Sequence, residues 1–227
     1  MITVACVFWG DKFPAEYVYN LKSMVERNTT VEHRFICLSD KKVDGIETRI
    51  LKPGYEGWWN KLQLFDPSNQ LDERVVYFDL DTLIVNNIDW LLQYDGKLMG
   101  IEDVGAVNSH QPHLKNVFQT GVMAFNSYMN VGIWNQLSTD PAYCSQFRGD
   151  GECLNASISP ISRDLLQHLY PGRLKSYKYQ VYPNKPDNKT SIICFHGRPS
   201  IIQAMDETVT TPMQTYYPQK WINEYWR

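Results

Sequence analysis

The chain has no run of apolar residues approaching the roughly 20 that a membrane span requires, so no span is expected. It also lacks a basic block and an RNA-reading aromatic motif. Lys plus Arg number 22 against 25 Asp plus Glu, a net charge of −3, and neither nucleic acid nor an anionic membrane surface is an expected partner. The five cysteines, Cys6, Cys37, Cys144, Cys153 and Cys194, show no C-x-x-C spacing and cannot all pair. Three of them sit in apolar runs, so buried reduced thiols and a reducing compartment are the simplest account. The first residues carry no basic n-region before their apolar run, and no signal peptide is expected. The sequons at Asn28, Asn155 and Asn188 then read as chance matches, and the protein as cytoplasmic. There is no internal repeat, low-complexity tract or linker. At 227 residues with 43% apolar content, one α/β domain with a sizeable core is expected.

Aromatic residues, in contrast, are plentiful, with 7 Trp and 14 Tyr, several in polar stretches such as 55–59 and 216–226. Rings of this kind pack in cores, or form flat walls for sugars and bases. Residues 2–8 are short, β-branched and apolar throughout, the pattern of a strand buried on both faces. Pro14 can open a helix that runs to about residue 27 with Val18, Leu21 and Val25 on one face. Strands are expected at 33–38 and 48–51, which completes a βαβ start. Further strands are expected at 74–78, 82–85, 97–101, 121–125, 174–179 and 191–195, and helices at 58–65, 88–92, 131–137 and 163–169. Residues 104–116, with His110, Pro112 and His113, read as a polar loop, and the tail beyond His196 shows no clear period. The expected architecture is a mostly parallel central sheet flanked by helices. Ligands of such sheets bind at the carboxyl ends of the strands, which places residues 9–12, Ser39, Asp40, Asp79, Asp81 and His196 on one rim.

The chemistry concentrates in Asp79-Leu80-Asp81, two carboxylates at the end of one apolar run and before another. Like charges this close raise each other's pKa. A divalent cation relieves the repulsion, and hard carboxylate oxygens suit Mg²⁺ or Mn²⁺, which complete their coordination with water and phosphate. A strand-end Asp-x-Asp is therefore a plausible clamp for a metal–diphosphate group, although a solvated turn gives the same pattern. A lone His after a strand, or a lone Lys on a helix, is more often structural than functional.

Five further segments accompany the acidic pair in order: Phe8-Trp9-Gly10, Gly57-Trp58-Trp59-Asn60-Lys61-Leu62, Phe118-Gln119-Thr120-Gly121-Val122-Met123, Gly149-Asp150-Gly151-Glu152-Cys153-Leu154-Asn155 and Phe195-His196-Gly197-Arg198-Pro199. With them the chain resembles the nucleotide-sugar glycosyltransferases of the GT-A fold, especially those related to glycogenin and the lipopolysaccharide galactosyltransferases. The resemblance implies a single GT-A, Rossmann-like catalytic domain over residues 1–227, with a nucleotide-binding half at about 1–103 and an acceptor-side half at about 104–227. It implies Mn²⁺ or Mg²⁺ held by Asp79, Asp81 and His196. It places the donor, a UDP-sugar foremost, against Phe8, Trp9, Gly10, Asp40, Lys61, Asp79, Asp103, Gly121, Gly197 and Arg198, with Tyr17 close to the base. Asp103 would meet the donor sugar's hydroxyls. The acceptor would be a glycan or glycoprotein. The segment also departs from the pattern: Gln119 and Thr120 replace the usual Asn and small residue, and Gly151 and Glu152 stand where relatives carry Gln and Asp.

The implied reaction transfers a sugar with retention of configuration. Asp150 and Glu152 are the expected catalytic carboxylates, and Arg198 or Lys61 would steady the leaving diphosphate. Three other readings compete; one, a sugar-nucleotide pyrophosphorylase, needs a Gly-rich, basic phosphate loop near the start that residues 9–12 do not supply. A haloacid-dehalogenase-type phosphohydrolase would use Asp79 as nucleophile, but its motif lies near the N-terminus and places Thr one position later than Thr82. A glycan-binding domain on the same fold would have no catalytic activity.

Overall fold

The computed structural model describes residues 1–107, 111–128, 130–139 and 141–227. Its strands are β1 (Ile2–Phe8), β2 (Arg34–Ser39), β3 (Glu47–Ile50), β4 (Arg74–Phe78), β5 (Thr82–Ile84), β6 (Leu98–Glu102), β7 (Phe118–Asn126), β8 (Arg163–Leu165), β9 (Leu174–Ser176) and β10 (Ile192–Cys194). Seven of them form the central sheet in the order β3-β2-β1-β4-β7-β6-β8. The first four run parallel, β7 is antiparallel to both neighbours, and β8 closes the far edge parallel to β6. A smaller sheet, β5-β10-β9, stands beside it.

The continuous apolar character of β1 follows from its position. Val4, Cys6 and Phe8 enter one core cluster, while Ala5 and Val7 enter another on the opposite face of the sheet. The helix Glu16–Asn28 buries Tyr17, Val18, Leu21, Met24 and Val25, an i, i+3/i+4, i+7 stripe, and packs them into the first cluster. All five cysteines are buried, and none is in a disulfide. Among the described residues no helix is long and apolar enough to cross a membrane.

Several expectations need correction. Residues 163–169 do not form one helix: 163–165 add a strand to the edge of β6, and only Leu166–Leu169 turn helical. The edge of β6 offers unpaired backbone groups, and Tyr94 fixes the segment by donating to the Asp164 carboxylate at 2.5 Å. Helix Asp150–Ser157 was not expected, because Gly149-Asp150-Gly151 reads locally as a turn. The strand expected to reach residue 179 ends at Ser176, whose hydroxyl accepts from Tyr179 N and starts a helical turn. The tail is ordered after all. Ser200 and Gln203 form a capping box that opens helix Ile201–Asp206, and the β11 (Val209–Thr210) and β12 (Thr215–Tyr216) hairpin follows. Residues 104–116 contain short turns at Val104–Val107 and Pro112–Leu114, and His110 lies outside the described residues.

The end of the first helix is tied to the turn Asp89–Leu92. Asp89 accepts from Thr29 Oγ1 at 2.6 Å, Thr30 N at 2.8 Å and Thr30 Oγ1 at 2.7 Å. Burial works against its ionised form, but hydrogen bonds from Thr29, Asn87 and Thr30 outweigh it and hold the carboxyl well below the usual range. A depressed carboxyl pKa stabilises the fold above the unfolded value and ceases to do so as pH falls through the folded one. Asp89→Ala is expected to lower Tm by about 2–4 °C at pH 7, the shift made by roughly 1 kcal/mol in a domain of this size. The gap between the two proteins should narrow below about pH 4, and thermal scans across pH read both effects.

Candidate active site

The acidic pair sits where the two sheets meet. Asp79 follows β4 of the central sheet, and Thr82 opens β5 of the smaller one. Backbone bonds pin the turn from both sides: Asp79 N donates to Gly121 O at 2.9 Å, Thr82 N to Asp79 O at 3.1 Å, and Phe195 N to Asp81 O at 3.1 Å. The turn is thus held by β7 on one side and by the end of β10 on the other.

Lys61 is the central cation. The 3-10 helix Gly57–Phe65 buries it, and its Nζ lies 2.9 Å from Asp79 Oδ1 and 2.9 Å from Asp150 Oδ2. A third contact reaches Thr120 Oγ1 at 3.1 Å. The Thr120 hydroxyl in turn donates to Asp150, and the Tyr77 hydroxyl to Asp79. Burial alone would lower the Lys61 pKa. The charges and hydrogen bonds of Asp150 and Asp79 override it and hold the ammonium well above the ordinary lysine range.

Asp81 is differently placed. Burial, reinforced by the neighbouring Asp79 charge, pushes its carboxyl up to about 7, against the weaker pull of Lys12 and Lys61. His196 is lowered to about 4 by burial and then by the nearby Lys178 charge, so its imidazole is neutral at neutral pH. Its Nε2 lies 2.8 Å from Ser176 Oγ.

Asp79, Asp81, Asp103, Gly121, Asp150 and His196 line one cavity of about 310 Å³, shared with Lys61. An adjoining cavity of about 340 Å³ runs from Asp79, Asp81 and Asp150 to Trp9, Lys12 and Trp58. A third, of about 790 Å³, continues past Trp9 and Trp58 to Gly10, Asp40 and Tyr55. Gly121 keeps the first cavity open, since a Cβ there would lie 3.6 Å from Asp79 Oδ2 and 3.2 Å from Ile101. Asp40 fixes the turn after β1 by accepting from Gly10 N at 2.8 Å.

Most of the residues singled out in the sequence therefore converge, but not all. Phe8 lies buried at the end of β1, with the Lys41 ammonium 5.1 Å from its ring centroid. Gly197 and Arg198 are exposed just beyond His196. Tyr17 belongs to the core, packed between Phe13 and Trp226. Glu152 does not join the carboxylate cluster; it accepts from Arg148 N at 2.8 Å and pairs with the Arg148 guanidinium on the same helix end. Its place on the helix explains this, since Asp150 and Glu152 are two residues and about 200° apart around the axis. Residues not anticipated at the site are Tyr77, Thr120 and Lys178. Tyr77, a hydroxyl-bearing ring in the apolar run 75–78 two residues before Asp79, carried a legible signal.

Charge makes the Asp79–Asp81 turn suitable for a divalent cation, because Asp81 is a half-buried carboxyl beside a like charge. The geometry is less complete. Among the described residues no three His, Cys, Asp or Glu side chains close around a common point, and one Asp79 oxygen is engaged by Lys61 and Tyr77.

Lys61→Met should leave Asp79 and Asp150 without their cation. The expected loss is about 3 kcal/mol, the lower end for breaking a buried ion pair, because the Asp79 side chain keeps 33% exposure. In denaturant unfolding, Lys61→Met/Asp150→Asn should lose less than the sum of the two single changes.

No protein-family model and no curated protein matches the sequence. Solved structures do match its shape. Galactosyltransferase LgtC in complex with donor and acceptor sugar analogues superposes with a TM-score of 0.63 at 14% identity, over 88% of each chain. An active-site mutant of LgtC gives 0.64 at 14% identity over 96% of this chain and 98% of its own. The glycosyltransferase GlyE of Streptococcus pneumoniae TIGR4 gives 0.63 at 11% identity over 88% of this chain and 56% of its own. At such identities the likeness speaks to architecture, and the architecture is the GT-A glycosyltransferase fold.

Proposed function

We propose that the protein is a metal-dependent glycosyltransferase that moves a sugar from a nucleoside diphosphate, a UDP-sugar, to a hydroxyl of a glycan or glycoprotein acceptor with retention of configuration. The observation that carries this reading is the carboxylate cluster of Asp79, Asp81 and Asp150 around one cavity at the junction of the two sheets. Its setting in the fold that LgtC and GlyE share adds support.

In such a transfer the anomeric C–O bond breaks, with positive charge on the sugar and negative charge on the departing diphosphate. Asp79 and Asp81 would hold Mn²⁺ or Mg²⁺, with His196 on the wall of the same cavity, and the ion when bound would supply Lewis-acid stabilisation of that diphosphate. Arg198 and Lys12 are exposed cations on the same rim, available to the phosphates. The aromatic walls Trp9 and Trp58 border the adjoining cavities and offer faces to the base or to sugar rings.

Asp150 is the residue we assign to the sugar face. Its Oδ2 already accepts from Lys61 and Thr120, which orients the carboxylate and occupies that oxygen. That suits stabilisation of positive charge at the anomeric centre more than general-base work. Lys61 acts as a positioning residue that holds Asp79 and Asp150 relative to each other. Glu152, engaged by Arg148 outside the cluster, is given no catalytic part.

Two measurements test this. In calorimetry, UDP should bind with Mn²⁺ present and at least about tenfold more weakly with EDTA or in Asp81→Ala, as expected when a metal bridges carboxylate and diphosphate. Absence of metal-dependent binding for both UDP and GDP would overturn the proposal. In donor hydrolysis or transfer, Asp150→Asn should lower kcat by about 10² or more, while Glu152→Gln stays within about twofold, a surface change by comparison.

A further inference from the structure

Gly151 is the second residue of helix Asp150–Ser157 and is buried. Its backbone does not call for glycine, since it is not among the positive-φ residues. Glycine in a helix is less favourable than alanine by about 1 kcal/mol, so another demand must account for it. That demand is space. A Cβ at 151 would lie 2.0 Å from Gln119 Oε1 and 3.0 Å from Gln119 Cδ. The amide of Gln119, arriving from β7, occupies the volume that a side chain at 151 would fill from the helix.

The amide is also held at its other end. Gln119 Nε2 donates to Asp103 Oδ2 at 3.0 Å, and Asp103 Oδ1 accepts from Gly105 N at 2.8 Å. The β6–β7 pairing is irregular along this stretch, and Gln119, Thr120 and Gly121 all line the same cavity, with the Gly121 Cα side facing Asp79. Gln119, Asp103, Lys61 and Asp150 all line the 310 Å³ cavity. One part of the cavity lining is therefore a braced amide–carboxylate pair. Such a pair has the chemistry that recognises vicinal hydroxyls, each of which donates and accepts one hydrogen bond.

We propose that Gln119, admitted by Gly151, is a specificity-determining residue that reads the donor sugar's hydroxyls together with Asp103, so that positions 119 and 151 act as one unit. The inference rests on the glycosyltransferase reading above and extends it to a chain-specific part of the sugar subsite. Gly151→Ala then affects the sugar without perturbing the nucleotide: the atom that its methyl displaces is the far end of a flexible side chain, so the fold adjusts at low cost while the amide leaves its place.

The test compares binding of UDP with that of UDP-glucose, UDP-galactose and UDP-N-acetylglucosamine by calorimetry in the presence of Mn²⁺. Wild type is expected to bind one sugar nucleotide preferentially. Gln119→Ala should weaken that preferred donor by about 10- to 100-fold, the usual effect of deleting a group that pairs with a substrate hydroxyl. UDP affinity should stay within about twofold, since the phosphates and base are not touched. Gly151→Ala should shift donor binding in the same direction. Gln119→Ala/Gly151→Gln, which returns an amide from the helix side, should recover part of the loss and change the order of preference among the sugars. The proposal is overturned if both single variants keep wild-type donor affinity and preference, or if they change only Tm, as a purely structural brace would. Failure of wild type to bind UDP with Mn²⁺ overturns the glycosyltransferase reading itself, and is seen before any variant is made.

Discussion

One buried ammonium holds the site together. Lys61 bridges the carboxylate after β4 and the carboxylate at the start of helix Asp150–Ser157, two segments 71 positions apart in the chain. Without it, Asp79 and Asp150 would repel each other across a cavity with limited access to water, where the interaction is several-fold stronger than in bulk solvent. With it, the 3-10 helix, β4, β7 and the acidic helix share one electrostatic centre, and Thr120 and Tyr77 supply the remaining hydrogen bonds. Close packing of the two apolar clusters fixes the sheet, and the lysine then fixes what the sheet presents.

The balance is deliberately incomplete at Asp81. Asp79 and Asp150 each have Lys61, whereas Asp81 makes no ion pair among the described residues and is driven toward its neutral form by burial and by its neighbour. A site of this kind costs folding stability, and charge imbalance of this sort is concentrated at functional positions. Cys194, buried at the same junction, is likewise pushed toward its neutral thiol by burial and then by the charges of Asp81 and Asp79.

Much of this was legible from the residues. The strands β1 and β4 have the boundaries their apolar runs suggest, because both are central strands buried on two faces, and no tertiary detail competes with that pattern. The rim residues follow from strand ends alone. What could not be read depended on contacts remote in sequence. Residues 163–165 have a helix-compatible composition and become a strand only because the edge of β6 is available. Gly149-Asp150-Gly151 looks like a turn until the space demanded by Gln119 is known. Asp150 and Glu152 are equivalent as letters and diverge only when the helix turns one toward Lys61 and the other toward Arg148. Tyr17 has the composition of a base-stacking residue and the address of a core one.

The acidic turn is also the seam between the seven-stranded and three-stranded sheets. Its backbone is bonded to Gly121 of the first and to Phe195 at the edge of the second. The two sheets share this three-residue seam, and a shift of one against the other would change the separation of Asp79 and Asp81. Substitutions buried under the small sheet, far from any ligand, would therefore be felt as changes in carboxylate spacing. The strands that look least involved in chemistry act as the spacer that sets it.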